Sequence, residues 1–462
     1  MVRVFSTRAP FTTPIAVLVA LVLPLFSFSA TSSALEIDVT DQDSIKHAAY
    51  VFVHGLMSYY NGNTSDGVIG KFVSPYYWWE AGGAWGSVLD YWYFTGDETY
   101  NDQLVDVIVG NAGPDWNFMP TTEVSTEGND DQAFWAFLSM EAAERNFTNP
   151  ADGDPQYLAL TQAAFDSMAA RWDDYYCGGG LHWQIYQFNT GYNYKNTISN
   201  AGLFMIAARL ARYTDNSTYL EWAERVYNWC VDIGFIDLDY YYIYDGASIT
   251  NNCTEISKYQ WSYNAAIFMA GSAYLYNYTG NSDWLTITEK LLGGLSIFFK
   301  DGIMYEVACE TVQRCDTDQL SFKAYLGRFM GETAILAPST YSTIMAYLET
   351  TVENGIQQSC TGGSDNVTCG STWIEDKGWD DTWGLGQQMS ALEVTQNLLV
   401  STRPGPYTQK NGGSSPDLNE TGTPSTTYVY PGTATTGDKA GAGIVTVLAL
   451  LFMVMIVWIL LR

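Results

Sequence analysis

Three connections in this chain repeat one short recipe: "YFTGDETYNDQL" at 93–104, "RYTDNSTYLEWA" at 212–223 and "NYTGNSDWLTIT" at 277–288. Each runs from an aromatic residue through Thr to Gly or Asp, and then to Asp or Asn at the head of a new amphipathic stretch. A left-handed helix stop followed at once by a side chain that caps the next helix makes a tight antiparallel hairpin. A fourth connection, "LAPST" at 336–340, is equally short. A chain built this way is helical, and its helices alternate in direction.

Apolar residues at i, i+3, i+4 and i+7 predict twelve helices, near 42–60, 80–94, 99–110, 131–145, 155–172, 197–213, 217–233, 260–278, 282–299, 322–336, 340–357 and 384–400. The short turns all follow even-numbered helices. The connections after odd-numbered helices are longer and carry Trp, Tyr, Asn, Asp and Gly. Six hairpins fit an all-α (α/α)6 barrel with inner and outer rings. The even helices then run parallel, and their N-termini gather at one face, together with "YYWWEAGG", "GNDDQAFW", "NYKNTISN", "KYQWSYNA", "QLSFKAYLGRF" and "DDTWGLGQQ". That face is the expected site.

The ends read differently. Residues 1–34 combine Arg3 and Arg8 with "IAVLVALVLPLF" and small residues, as a signal peptide does. The barrel is expected over 35–403. Residues 404–437 are rich in Ser, Thr, Pro and Gly and predict a disordered stalk. Residues 438–462 place small residues, a spacer and an apolar tail in the order of a GPI-attachment signal, with attachment within Gly432 to Gly437. A retained single-pass helix is the alternative. Sequons at Asn63, Asn146, Asn216, Asn252, Asn277, Asn366 and Asn419 fit a secretory route to the outer face of the plasma membrane. Seven cysteines allow three disulfides. Cys309 with Cys315 and Cys360 with Cys369 pair by proximity, and Cys177, Cys230 and Cys253 leave one thiol over.

A net charge of −29 argues against nucleic acid and anionic lipid as partners. Only His47, His54 and His182 are present, and no Cys/His spacing suits zinc, so no metal or cofactor is expected. With 16 Trp and 33 Tyr, the aromatics exceed what a core needs, and those in loops beside Asn, Gln and Asp suit the apolar faces of neutral sugars.

Three Asp-Asp pairs occur. Asp173-Asp174 follows a helix C-terminus and reads as solvated loop charge. Asp380-Asp381 is placed to cap the last helix. Asp130-Asp131 opens an inner helix on the loaded face, where helix capping competes with chemistry. Glycoside hydrolysis needs one carboxylic acid and one carboxylate, about 5–5.5 Å apart when the configuration is retained. Adjacent residues reach that separation, and their repulsion keeps a proton on the pair.

"YYWWEAGGAWGSVLDYWYFTGD", "GNDDQAFW", "CGGGLHWQI", "YKNTISNAGLF" and "QWSYNAA" together resemble glycoside hydrolase family 76, over roughly residues 36 to 400. The stalk and attachment signal resemble its fungal, wall-associated branch. The resemblance implies the (α/α)6 barrel and a retaining mechanism with Asp130 as nucleophile and Asp131 as general acid/base. By position, Trp78, Trp79, Asn129, Gln132, Trp183, Lys195, Asn196, Asp245 and Asn264 are candidate substrate-binding residues. Trp183 and Trp261 suit core packing nearly as well. His182 stands where the family pattern favours Arg.

The expected function is a cell-surface glycosidase or transglycosidase acting on α-1,6-linked mannose. Its donor would be mannan or a GPI-core glycan, and wall β-glucan a possible acceptor. The competing reading is a non-catalytic wall glycan-binding or scaffold protein, which would need the aromatics but not both aspartates.

Overall fold

The computed structural model describes residues 35–374, 378–413 and parts of 445–458. The expected signal peptide, most of the expected stalk, the expected attachment site and Asn419 lie outside the described residues. No helix among the described residues is long and apolar enough to cross a membrane.

The inner ring is α2 (Trp78–Thr95), α4 (Asn129–Glu144), α6 (Thr197–Thr214), α8 (Ser262–Thr279), α10 (Phe322–Leu336) and α13 (Leu385–Gln396). Each packs on the next, and α13 returns to α2 to close the ring. The outer ring is α1 (Gln42–Met57), α3 (Asn101–Gly110), α5 (Tyr157–Ala169), α7 (Ser217–Ile233), α9 (Ser282–Gly294) and α11 (Tyr341–Thr351). A π-turn, Val352–Ile356, extends α11 into the single turn α12, Gln357–Ser359. The fold is an (α/α)6 barrel.

The sequence explains the two rings. α4 and α6 are buried on nearly every side and carry small or apolar residues all round. Helices such as α7 keep an exposed charged face. Two of the three repeated hairpins form as read, and the first turns at Gly96 with no side-chain cap on α3. Gly96, Asp215 and Gly280 take left-handed φ values of 81°, 54° and 66°. Asn216 and Asn281 then cap the next helices by accepting from the N–H groups of Thr218 and Asp283.

Near the C-terminal ends of the inner helices lies a buried ionic network. Arg145 contacts Asp90 at 2.6 Å and Glu141 at 3.0 Å, Arg328 contacts Glu393 at 2.5 Å, and Arg209 contacts Glu144 at 2.6 Å. With Arg328 also 3.3 Å from Asp90, these contacts link α2, α4, α6, α10 and α13, and the facing of opposite charges makes charge tolerable in the interior.

The stalk boundary drawn at 404 falls short, because residues 404–413 pack against the barrel. Tyr93 Oη donates to the Pro404 carbonyl (2.6 Å), the Tyr407 N–H to the Glu144 carbonyl (2.8 Å), Arg212 to the Pro406 carbonyl (2.8 Å) and the Gln409 N–H to the Tyr213 carbonyl (3.3 Å). This strap therefore runs over the C-terminal ends of α2, α4 and α6.

At the other face, short strands β1 (Tyr194–Asn196), β2 (Gly246–Ser248) and β3 (Ile256–Ser257) form an antiparallel sheet, with Lys195 opposite Ala247 and Gly246 opposite Ser257. A second small hairpin pairs β4 (Phe299–Lys300) with β5 (Ile303–Met304). Disulfides join Cys177 to Cys253, Cys309 to Cys315 and Cys360 to Cys369, leaving Cys230 as a buried thiol.

Candidate active site

The N-terminal ends of the inner helices surround a cleft of about 670 Å³. Asp130 and Asp131 are its floor. They are the second and third residues of α4, where unpaired backbone N–H groups and the positive helix end favour negative charge. Asp130 Oδ1 accepts from the Asp131 N–H (3.1 Å), and its Oδ2 accepts from Asn196 Nδ2 (3.1 Å). Asp131 Oδ2 accepts from the Gly128 N–H at 2.5 Å, so Asp131 does cap its helix as well as face the cleft. Gly128 is required by space: a Cβ there would lie 2.2 Å from Asp130 Oδ1 and 3.0 Å from the Trp183 carbonyl.

Burial raises Asp130 to about 7, against the opposing effect of the Asn196 hydrogen bond. Burial first, and then the charge of Asp130, hold Asp131 well above the ordinary carboxylate range. The pair therefore keeps a proton near neutral pH, with one member ready to donate it and the other stabilised as an anion by an amide.

The walls are aromatic and acidic. Glu123, Glu127, Asp245 and Asp318 line the cleft with the aspartate pair, and no Lys, Arg or His is among the described lining residues. Asp318 accepts from Trp79 Nε1 (3.1 Å) and is raised to about 6 by burial and by Asp316. Glu127 is buried with both carboxyl oxygens unpartnered; burial, then Asp131, raise it well above its usual range. Tyr263 and Phe322 stack at 3.8 Å and form an apolar wall. Such a cleft repels anionic ligands and accepts neutral or cationic ones.

Seven of the sequence-derived candidate side chains line this space besides or including the pair: Asp130, Asp131, Trp78, Trp79, Trp183, Asn196 and Asp245. Trp78 is largely core, stacked on Trp135 at 5.0 Å with Nε1 bonded to Asn111. Asp245 is held between Tyr194 Oη (2.6 Å) and Trp261 Nε1 (3.0 Å).

Asn129, Gln132, Lys195 and Asn264 do not line the cleft; they stand behind it. Asn129 and Gln132, three apart on one side of α4, both accept from Arg171 of the segment after α5. Lys195 Nζ is buried among the carbonyls of Asp173, Tyr176 and Gly179, and burial lowers it to about 8. Asn264 is fully buried in α8.

Two other acidic readings change. Asp173 is no solvated loop charge: it accepts from His182 Nε2 (2.9 Å), lies 3.2 Å from Lys195 Nζ, and is lowered to about 2, despite burial, chiefly by the His182 bond. Asp380 caps no helix. It accepts from the backbone of Ser371, Thr372 and Thr382 and organises the loop before α13. Glu127, Asp318, Tyr263 and Phe322 were missed by sequence reasoning; Glu127 stands one residue before "GNDDQAFW", and that adjacency was the available signal.

The model of glycosyl hydrolase family 76 matches residues 44–410. The chain belongs to this family. It is thus a glycoside hydrolase. It is 51% identical to mannan endo-1,6-alpha-mannosidase DCW1 of Saccharomyces cerevisiae over 90% of this chain and 92% of that relative. Mannan endo-1,6-alpha-mannosidase DFG5 of the same yeast is 47% identical, over 92% and 93%. Among solved structures, Dfg5 from Chaetomium thermophilum in complex with glucosamine superposes with a TM-score of 0.80 at 39% identity, covering 84% of this chain and 97% of that one. An inactive variant of the α-1,6-mannanase of Salegentibacter sp., bound to α-1,6-mannotetrose, has a TM-score of 0.61 at 18% identity, over 77% and 98%, and shares the fold.

Proposed function

We propose that this glycoside hydrolase cleaves α-1,6-linked mannose by a retaining double displacement, with Asp130 as nucleophile and Asp131 as general acid/base. The observation that carries the reading is the divided environment of the pair. Asn196 donates to Asp130 and supports its anion, whereas Asp131 beside that charge retains the proton. In the first step Asp131 gives its proton to the glycosidic oxygen as that bond to C1 breaks and Asp130 bonds to C1. In the second, Asp131 takes a proton from the acceptor hydroxyl, whose oxygen displaces Asp130 from C1. Water as acceptor gives hydrolysis, and a sugar hydroxyl gives transglycosylation.

The substrate class is supported by the names of the fungal relatives, and the neutral-to-cationic preference of the cleft agrees with it. Mannan or a GPI-core glycan would be the donor and wall β-glucan the acceptor, with the protein tethered by a GPI anchor outside the plasma membrane. Incubation with α-1,6-mannotetraose, followed by mass analysis and proton NMR of the first-formed anomer, tests the proposal. Retained α configuration supports it; an inverted product overturns the mechanism, and no turnover on any α-1,6-mannoside favours the glycan-binding scaffold. Release from cells by a phosphatidylinositol-specific phospholipase tests the anchor.

A further inference from the structure

The aromatic side chains left most exposed on the barrel are not scattered. Tyr77, Tyr175, Phe188, Tyr240, Tyr259 and Trp383 are each 60% or more exposed, and all lie in connections that lead from the outer ring into an inner helix. They share the face of the cleft, and exposed apolar surface gathered on one face marks a binding surface.

The connection between α7 and α8 turns this surface into a groove. Ile236 faces Ile243 across a hairpin whose tip is tightly fastened. Asp237 accepts from the N–H groups of Asp239 (2.9 Å) and Tyr240 (3.2 Å) and from Tyr244 Oη (3.0 Å). The tip presses on the C-terminal end of α9, where a Cβ on Gly294 would lie 2.4 Å from the Tyr241 carbonyl. Between them is a cavity of about 320 Å³, lined by Leu238, Asp239, Tyr240, Tyr241 and Lys290, with the two glycines at the end of α9. Lys290 Nζ lies 5.0 Å from the centre of the Tyr241 ring, and Tyr240 stacks on Tyr242 at 5.5 Å. The base of the same lobe reaches the cleft: Asp245 bonds Trp261, whose ring stacks on exposed Tyr259 at 6.1 Å.

We propose that the Leu238–Tyr240–Lys290 groove binds a neutral hexose polymer outside the cleft. The choice of polymer rests on the wall-glycan reading of the active site. Aromatic faces match the C–H faces of hexoses, a fastened tip loses little freedom on binding, and the net charge of −29 disfavours anionic chains. A chain held on the lobe raises the concentration of its own segments at the cleft without altering the chemistry.

The test uses the purified full-length protein, its Tyr240→Ala and Leu238→Asp variants, and each combined with Asp130→Asn. Retention is measured by affinity electrophoresis in gels containing unbranched α-1,6-mannan or soluble β-glucan, and turnover with α-1,6-mannotetraose. Loss of one stacking face should weaken retention about three- to tenfold, with tetrasaccharide turnover and thermal midpoint unchanged. Equal retention in all variants overturns the proposal. So does a parallel loss of tetrasaccharide turnover, which would make Tyr240 part of the cleft. Tyr240-dependent dimers with unaltered retention would assign the groove to a second copy of the chain and also overturn it. Since retention is read without catalysis, a protein that turns over no mannoside yet shows Tyr240-dependent retention fails only the mannosidase reading.

Discussion

Asn196 joins two helix starts: its Nδ2 donates to Asp130 Oδ2 at 3.1 Å, and its Oδ1 caps α6 by accepting from the Ser199 N–H at 3.3 Å. The cap fixes the orientation in which the amide nitrogen, rather than the oxygen, faces the carboxylate. A charge-assisted bond of this kind favours the ionised form of Asp130. Asn196→Ala should therefore raise the Asp130 ionisation, moving the acid limb of the kcat/KM profile upward by about one pH unit. The loss of the cap should cost about 1 kcal/mol in stability. A profile that does not move would show that the bond leaves the pair untouched.

Asp130→Asn and Asp131→Asn should fail differently. An amide at 130 cannot form the glycosyl-enzyme bond, so turnover should vanish on every substrate. An amide at 131 should spare the first step for substrates whose leaving group needs no protonation. Azide should then restore turnover and yield a glycosyl azide of retained configuration. Equal losses in both variants without rescue would remove the division of roles.

Gly128→Ala tests the floor without touching its chemistry. Its φ of −92° is open to alanine, so the obstacle is the 2.2 Å approach to Asp130 Oδ1. A fall in kcat of about a hundredfold is expected, since small misplacements at the reacting centre carry such costs. The thermal midpoint should move little by comparison. Near-normal kcat would mean that the carboxylate shifts freely.

Stability should fall as pH rises above about 5. Glu306, raised to about 8 mainly by burial, accepts from the N–H and hydroxyl of Ser262 at the start of α8. Glu332 and Asp130 are each raised to about 7, again mainly by burial. These groups keep protons in the folded state that the unfolded chain releases near its ordinary carboxylate value, so their contribution is complete below about 4.5 and drains away up to about 8. Thermal midpoints across pH 5 to 8 should decline, and Glu306→Gln should flatten that slope. A midpoint that rises over this window would contradict the assignment.

The barrel was legible because its turns spell helix stops and caps, and because inner helices lack a polar face. Asp130-Asp131 was legible for the same reason: the helix start fixes which end of the barrel it occupies. Which side chains of that start face the cleft was not. Asn129 and Gln132 turn toward Arg171, a partner 42 residues from Asn129 and hidden to any local pattern. β1 to β3 are two or three residues long and carry no readable period, so the seating of Asn196 on Asp130 could not be derived. Glu127 and Asp318 lie outside the inner helices, where charge has no registered spacing.

The strap over the C-terminal ends of α2, α4 and α6 gives the molecule a front and a back. α4 spans 16 residues, about 24 Å at 1.5 Å per residue, between the Glu144 end held by the strap and the Asp130 end in the cleft. The strap ends at Gly413 on the back, where the Gly413 N–H donates to the Thr408 carbonyl. The cleft and the strap occupy opposite ends of one helix, so a substitution in either reaches the other only through the length of α4.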